Sequence, residues 1–274
     1  MQKVERHYTH GQLENSILKA LEGAGKNLEK LTPDDLAPID EFHIRGRDAT
    51  RELAEEIGLN EEKYVLDVGC GLGGPSRRLV SEYGCRVMGL DLTEEYCRVA
   101  EALSKRMGLQ DLVSYRTGDA LEMPFEDVSF DVVWTQHVSM NISDKARLYG
   151  EMYRVLKPGG HLAIYDILAG TGGEIHFPVP WAREPSISFL VSIDRVNRIL
   201  QGTGFDIVLS RDTTEVGRSW FEAMAERIQR EGSPALGYHI LLGDDFPAMA
   251  QNQIRNLNEN RIVLMQIVAR RSAE

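Results

Sequence analysis

Cysteine, aromatic residues and long apolar runs are all scarce in this sequence of 274 residues. Its three cysteines, Cys70, Cys85 and Cys97, are too few and too scattered for the disulfide framework of a small secreted protein. No two of them have the spacing of a zinc-ligand pair. We therefore expect reduced, buried thiols and no metal site.

Apolar runs are too short for a membrane protein. No stretch approaches the roughly 20 uncharged apolar residues that a membrane-spanning helix requires. The N-terminus, MQKVERHYTH, has no apolar signal core. The sequence therefore predicts no membrane span and a cytoplasmic location.

Basic residues are also in short supply, with 31 Lys and Arg against 42 Asp and Glu and a formal net charge of -11. A protein of this charge repels a phosphate backbone, which argues against a nucleic-acid partner. The hydrophobic share of 42% and the charged share of 27% are typical of a globular protein. The length allows either one large domain or one domain with a cap.

The chain changes its pattern near residue 60. Residues 1–60 read as helices, with Leu13, Ile17 and Leu21 at helical spacing, and we interpret them as an N-terminal helical extension or lid. In residues 61–274, short apolar runs alternate with helical patterns. The predicted strands are YVLDV, RVMGLDL, LVSYRTGD, FDVVWTQ and HLAIYDIL, with further candidates at 205–210 and 261–269.

This alternation predicts an α/β fold, with βαβ units that build a parallel sheet covered by helices on both faces. Residues 212–260, between the last two candidate strands, read as a helical insertion. A connection of that length inside a domain is usually a lid or functional insertion. KPGG, at residues 157–160, predicts a helix stop and a tight turn into the fifth strand.

A glycine-rich turn, DVGCGLGG, follows the first predicted strand. Gly69, Gly71 and Gly74 fit G-x-G-x-x-G, so an NAD(P)-dependent oxidoreductase is formally open. Asp67, however, would lie badly beside a pyrophosphate, since both carry negative charge. The turn therefore favours a cationic ligand.

Further carboxylates follow the next two strands. Asp91 ends the second strand, where a carboxylate can accept both hydroxyl groups of a ribose. Asp119 follows the third strand and can accept the amino group of an adenine ring. Leu92, beside Asp91, is either a wall of the adenine slot or a core residue. These positions predict a pocket for a cationic nucleoside at one edge of the sheet.

At this point the chain resembles the class I S-adenosylmethionine-dependent methyltransferases. The similar segments are VLDVGCGLGG, GLDL, GDALEMPFEDVSFDVVWTQHV and LYGEMYRVLKPGGHLAIYDI. The resemblance implies a Rossmann-like, seven-stranded, mostly parallel sheet with an antiparallel last strand, a helical cap before that strand, and S-adenosylhomocysteine as the product. It implies these cofactor-binding residues: Asp67, Gly69, Cys70, Gly71 and Gly73 at the methionine moiety, Asp91 and Leu92 at the ribose and adenine, Asp119 and Ala120 at the adenine, and Gln136 near the methionyl amino group.

The methyl acceptor is harder to infer. His137, at the end of the fourth predicted strand, is a candidate general base, or else it packs against the cofactor. The candidate acceptor-binding residues are Tyr8, Glu41, His43, Ser139, Asn141 and Trp181. The N-P-P-[YF] tetrad of enzymes that methylate adenine or glutamine is missing, and so is a convincing carboxylate pair for a catalytic magnesium ion.

Resemblance to sarcosine and dimethylglycine N-methyltransferases and to ubiquinone-pathway C-methyltransferases leaves the acceptor open. We expect methyl transfer to a small amine by direct displacement, with C- or O-methylation of a quinol, phenol or natural product as the alternative. A cofactor-binding protein without methyl transfer is the third possibility. The segments near Trp181 and Trp220 would either cover the substrate or form the face of a homodimer.

Overall fold

The computed structural model describes residues 2–8, 11–232 and 236–273. Its centre is a seven-stranded sheet in the order β3-β2-β1-β4-β5-β7-β6. The strands are β1 (Tyr64–Val68), β2 (Arg86–Asp91), β3 (Val113–Thr117), β4 (Phe130–Gln136), β5 (Leu156–Ala169), β6 (Phe205–Asp212) and β7 (Ile262–Arg271). All seven predicted strands are therefore present.

Neighbouring strands from β3 to β5 pair in parallel, whereas β7 runs antiparallel to both β5 and β6. Parallel strands need crossover connections, which here are mostly helical. The helices are α1 (Gln2–Tyr8), α2 (Leu13–Gly23), α3 (Pro33–Asp40), α4 (Gly46–Glu56), α5 (Gly74–Tyr83), α6 (Glu94–Arg106), α7 (Lys145–Val155), α8 (Ile193–Thr203), α9 (Thr214–Glu231), α10 (His239–Leu242) and α11 (Phe246–Asn258). The predicted Rossmann-like sheet is confirmed, including its antiparallel last strand.

The strands are apolar because both faces of the sheet are covered. Val65, Leu66 and Val68 of β1 are fully buried, as are Val133 and Trp134 of β4. Continuous apolar strands of this kind are typical of a parallel sheet between two helical layers. Because β1 to β4 run parallel, their carboxyl ends lie along one edge of the sheet. Ligands bind at this edge in open α/β folds.

The N-terminal helices pack onto this sheet domain. Leu13, Ile17 and Leu21 of α2 are buried in an apolar cluster shared with α6 and α10. Two buried ion pairs, Asp40 with Arg77 and Glu41 with Arg78, join the end of α3 to α5. The chain before β1 is thus held directly against the glycine turn that begins α5.

The predicted turn at KPGG is wrong in one respect. The helix does stop there, since α7 ends at Val155, but β5 already begins at Leu156. Phe130 of β4 pairs with Leu156, and two residues later Val132 pairs with His161. KPGG is therefore a bulge within β5, and Gly159 supplies its positive φ of 78°.

Helices α9, α10 and α11 occupy most of the connection between β6 and β7. Leu241, Leu242 and Met249 from this connection are buried in the same cluster as α2. The predicted helical segment is therefore present, and it meets the N-terminal helices above the edge of the sheet.

Candidate functional site

The glycine turn is held tightly between two strands. Gly69 and Gly71 have φ angles of 73° and 53°, a region that favours glycine. The backbone N–H groups of Gly69 and Cys70 both donate to the carbonyl oxygen of Leu90. A Cβ atom at Gly69 would lie 2.3 Å from Cγ2 of Val138. The turn needs glycine at position 69 for its dihedral angle and for its close approach to the chain after β4.

Asp91 lies at the carboxyl end of β2, beside this turn. Its carboxylate accepts the backbone N–H of Gly71 at one oxygen and that of Thr93 at the other, both at 2.9 Å. Burial raises the pKa of Asp91. These backbone donors fix the carboxylate while leaving lone pairs on both oxygens for a ligand.

Asp119 follows β3 at the same edge. Its Oδ1 atom accepts the backbone N–H of Leu121 at 2.9 Å. Asp91, Asp119 and Ala120 all line one cavity, so the structure brings together the side chains that follow separate strands.

This cavity has a volume of about 640 Å³, within the range of small-molecule and cofactor sites. It is lined by these predicted cofactor-binding residues: Gly69, Cys70, Gly71, Asp91, Leu92, Asp119, Ala120 and Gln136. Its charged lining residues are Asp40, Asp91 and Asp119, and none of the residues described along its wall is Lys or Arg. The wall therefore favours a cation over an anion.

Asp67 and Gly73 lie behind the wall. The Asp67 carboxylate is 2% exposed and accepts the Ser76 hydroxyl at 2.6 Å. Burial raises the pKa of Asp67 to about 7. A Cβ atom at Gly73 would meet the Tyr115 hydroxyl at 2.3 Å. Both residues shape the start of α5 from inside the protein.

Gln136 ends β4 and has a defined orientation. Its Oε1 atom accepts the indole N–H of Trp134 at 2.8 Å, and an indole nitrogen can only donate. The amide nitrogen of Gln136 is buried and has no partner among the described residues. An unpaired buried donor is costly, so this nitrogen is suited to a ligand oxygen.

His137 follows directly, with a positive φ of 54°. Its ring lies 5.0 Å from that of Tyr165 and 5.9 Å from that of His43. Burial, with a contribution from His43, lowers the pKa of His137 well below its usual value. A neutral imidazole thus lines the cavity beside the end of β4.

Comparisons with known proteins agree with this geometry. A family model described as a methyltransferase domain matches residues 66–164. Methyltransferase GfsG of Streptomyces halstedii is 32% identical over 187 residues, which are 67% of this chain and 67% of that protein. This chain belongs to the methyltransferase family. Family membership separates it from the oxidoreductases that the glycine pattern left open.

Other relatives align over less of their length. Sterol 24-C-methyltransferase of Eremothecium gossypii is 42% identical to this chain over 114 residues, 42% of this chain and 31% of that protein. The chain therefore spans about a third of that relative. One similar solved structure is a geranyl diphosphate C-methyltransferase from Streptomyces coelicolor A3(2), in complex with Mg²⁺, geranyl-S-thiolodiphosphate and S-adenosyl-L-homocysteine. Its TM-score is 0.71 at 17% identity, and the match covers 98% of this chain and 97% of that chain. This likeness shows a shared class I fold.

The predicted acceptor-binding residues separate into two groups. Tyr8, His43 and Asn141 line the cavity. The Tyr8 hydroxyl donates to Oδ1 of Asn141 at 3.1 Å, joining α1 to the turn after β4.

The other three lie off the cavity wall. Glu41 is buried between Arg78 and Thr50, whose hydroxyl donates to its carboxylate. The backbone N–H of Ser139 donates to Asp166. Trp181 is 1% exposed and its indole N–H donates to the Ser188 hydroxyl, so its side chain packs inside the protein.

Sequence reasoning missed much of the remaining wall. Phe42, Ile142, Phe189 and Leu241 line the cavity, yet each lies in a different segment of the chain. An apolar residue in a loop or short helix looks the same in sequence whether it faces a ligand or the core. The loop at 176–190 is rich in aromatic residues, which indicated that this segment contributes to the acceptor site. It did not indicate which of its side chains line the cavity.

Lys145 was also missed. Its Nζ atom donates to the carbonyl oxygens of Ser139, Ile142 and Phe189, and its side chain is 4% exposed. It therefore fastens two segments of the wall together. In the sequence, a lysine directly after the N-cap Asp144 resembles an ordinary solvated residue of a first helical turn.

Two further features concern the described residues as a whole. No group of three or more His, Cys, Asp or Glu side chains among them is arranged to hold a metal ion. None of the helices in residues 2–8, 11–232 and 236–273 is long and apolar enough to cross a membrane.

Proposed function

We propose that this protein transfers a methyl group from S-adenosylmethionine to a small organic molecule. The observation that carries the proposal is the set of carboxylates at the ends of β2 and β3, beside a glycine turn and on a wall whose described residues include no Lys or Arg. Such a wall suits a cationic nucleoside and disfavours the pyrophosphate of a dinucleotide.

The residues present fit this cofactor. Asp91 has lone pairs free for the two ribose hydroxyls, and Asp119 has one free for the adenine amino group. The glycine turn and Gln136 lie at the position of the methionine moiety. The amide nitrogen of Gln136 needs an acceptor, so it would donate to the methionyl carboxylate. This carboxylate is close to the methionyl amino group, near which the family resemblance places Gln136.

When bound, S-adenosylmethionine supplies a methyl group on a positively charged sulfur. The protein then has to align the acceptor with that methyl group and exclude water. We assign to His137 the role of receiving the acceptor's proton, because it lines the cavity at the end of β4 and its buried Nε2 atom has no partner among the described residues. Tyr8, His43 and Asn141 would position the acceptor.

Binding titrations test the cofactor assignment first. The full chain should bind S-adenosylmethionine and S-adenosylhomocysteine in a calorimeter, and NADH should give no heat. Binding of NADH alone would contradict the proposal.

Turnover tests the reaction. Incubation with the ¹³C-methyl cofactor and a panel of alcohols, phenols, quinols and amines should transfer the label, and the ¹³C shift of the product identifies the methylated atom as O, N or C. Tight binding of the cofactor with no transfer to any acceptor would favour the non-methylating alternative.

We also propose a cytoplasmic protein with no nucleic-acid partner. Free, buried Cys70, Cys85 and Cys97 and the net charge of -11 support this. The homodimer remains a proposal for α9, where Val216 is 50% exposed near Trp220. Light scattering on the purified chain decides between monomer and dimer.

A further inference from the structure

The cavity has a second end that does not come from the strands β1 to β3. The other elements that line the cavity contribute Val4 of α1, Phe42 between α3 and α4, Ile142 before α7, Ile187 and Phe189 before α8, and Leu241 of α10, and we take this part of the lining as the second end. We refer to these six residues as the apolar wall. Their shared property is a hydrocarbon side chain, so this end favours an acceptor with an apolar body.

The residues that the structure describes offer no cation at this end to hold an anionic group. The cavity's described lining contains no Lys or Arg. Lys145 lies behind Ile142 and Phe189, but its three N–H groups are used by three carbonyl oxygens. A phosphate or carboxylate on the apolar wall would therefore be buried without a counter-charge, which is strongly unfavourable.

Arg77 and Arg78, behind the glycine turn, also donate hydrogen bonds to other groups of the protein. Arg77 donates to Asp40 and to the carbonyl oxygens of Leu72 and Ala100. Arg78 donates to Glu41 and Glu82. Both guanidinium groups stabilise the N-terminal segment against α5, and neither Arg77 nor Arg78 lines the cavity.

The hydrogen bonds beside the apolar wall fix which polar atoms donate and which accept. The Tyr8 hydroxyl proton is committed to Asn141, and the Asn141 amide nitrogen donates to the carbonyl oxygens of Trp181 and Ile187. The Tyr8 oxygen is therefore left as an acceptor. It suits a molecule that donates one hydrogen bond.

A protonated amine is less well served at this end. Asp40, the acidic residue that lines the cavity from α3, is already paired with Arg77. Asp91, whose charge acts on Tyr8, is assigned to the ribose hydroxyls. An ammonium group would therefore have no carboxylate of its own there, and an uncharged hydroxyl needs none.

We propose that the acceptor site takes an uncharged alcohol or phenol with a hydrocarbon body, and that it rejects phosphorylated and carboxylated molecules, amino acids included. This inference rests on the proposed function, because it assigns the remaining end of the cavity to the methyl acceptor. It also separates this chain from the geranyl diphosphate enzyme of the same fold, whose complex contains a diphosphate analogue and Mg²⁺.

The test compares three molecules with one hydrocarbon body, namely geraniol, geranylamine and geranyl diphosphate. Each is titrated calorimetrically into the full chain saturated with S-adenosylhomocysteine, so no turnover is needed. Geraniol should bind about tenfold or more tightly than either of the other two. Equal or tighter binding of the diphosphate or of the amine would overturn the inference.

Absence of binding by all three would also count against it, since burial of the hydrocarbon body is worth roughly 0.8 kcal/mol per CH₂ group. The proposed function fails separately, through lack of S-adenosylhomocysteine binding in the first titration. The two failures are therefore distinguishable.

A charge placed on the wall supplies the converse test. Ile187→Arg should raise the affinity for geranyl diphosphate and lower that for geraniol. Because Ile187 is buried, Ser143→Arg gives a second route from an exposed position on the cavity rim. Val208→Arg, on the exposed face of β6, is the matched control and should leave all three affinities unchanged. No gain in diphosphate binding from either variant at the cavity would contradict the inference.

Discussion

The two ends of the cavity are built in different ways. The cofactor end consists of short segments at the carboxyl ends of β1, β2 and β3. Backbone N–H groups of the turn join two of them, since Gly69 donates to the carbonyl oxygen of Leu90 and Gly71 to the carboxylate of Asp91. The acceptor end gathers apolar side chains from as far apart as Val4 and Leu241. The first end is fixed by the sheet, whereas the second depends on how helices and loops pack above it.

This difference predicts where substitutions act. Changes at the cofactor end should disturb a rigid turn and reduce binding of the sulfur nucleosides. Changes at the acceptor end should alter the preference among acceptors and leave the cofactor affinity intact.

The largest effect is expected from Gly69→Ala. Its Cβ atom would overlap Val138 at 2.3 Å in a backbone conformation with φ of 73°, so the turn must move. We expect a loss of about 3 kcal/mol or more in the free energy of unfolding and no measurable binding of S-adenosylhomocysteine. Denaturant unfolding and calorimetry measure the two effects.

Gly71→Ala is the matched control, because Gly71 also has a positive φ but a Cβ atom added there would have no heavy atom within 4 Å. It should lose only about 1–2 kcal/mol of stability, the cost of the left-handed conformation. Adding Val138→Ala to Gly69→Ala should restore part of the stability. Equal losses for the two glycine variants would show that contact with Val138 is unimportant.

The second effect is that of Asp91→Asn. Both carboxylate oxygens accept backbone N–H groups, so an amide must turn its own N–H₂ toward one of these donors. We expect S-adenosylhomocysteine to bind tenfold or more weakly, on the order of 1–3 kcal/mol. Calorimetry measures it, with exposed Asp111→Asn as the control. An unchanged affinity would remove the ribose contact from the proposed site.

The cofactor end could be predicted from sequence because its signals are local. A strand, a glycine turn and a carboxylate lie within a few residues of one another in segments such as YVLDVGCGLGG. Parallel strands place their carboxyl ends on one edge, so residues distant in sequence, such as Asp91 and Asp119, converge.

The acceptor end lacked such signals. Trp181 and Asn141 were both plausible contacts, but the tertiary packing buries the indole and leaves the amide on the cavity wall. Nothing in the order of residues shows which face of α10 points to the cavity. The bulge at KPGG has the same cause, since proline and glycine suit a bulge as well as a turn.

The third prediction concerns Asp67, which supports the cofactor end from behind. Burial raises its pKa to about 7, so the folded protein binds the proton more tightly than the unfolded chain does. The charged carboxylate therefore reduces stability progressively as pH rises from about 4 to about 7.

Asp67→Asn should remove this dependence and keep the hydrogen bond from Ser76. Its unfolding free energy relative to the unmodified protein should rise with pH across that window, by about 1–4 kcal/mol, and level off above it. Urea unfolding at a series of pH values measures the difference. A flat or falling difference would mean that Asp67 is ionised in the folded protein at acidic pH.

The smallest effect is expected at the acceptor end, from Tyr8→Phe. The variant keeps the ring but loses the hydroxyl that donates to Asn141 and that we propose accepts from the methyl acceptor. Loss of one such hydrogen bond is worth about 0.5–1.5 kcal/mol, so KM for an accepted alcohol should rise by roughly two- to tenfold. The affinity for S-adenosylhomocysteine should stay the same, because the hydrogen bonds that hold Asp91 and Asp119 come from the backbone of Gly71, Thr93 and Leu121. A parallel loss of cofactor affinity would show that the two ends of the cavity are coupled through α1. The two ends would then differ in how well the sequence predicts them, but they would not act independently in binding.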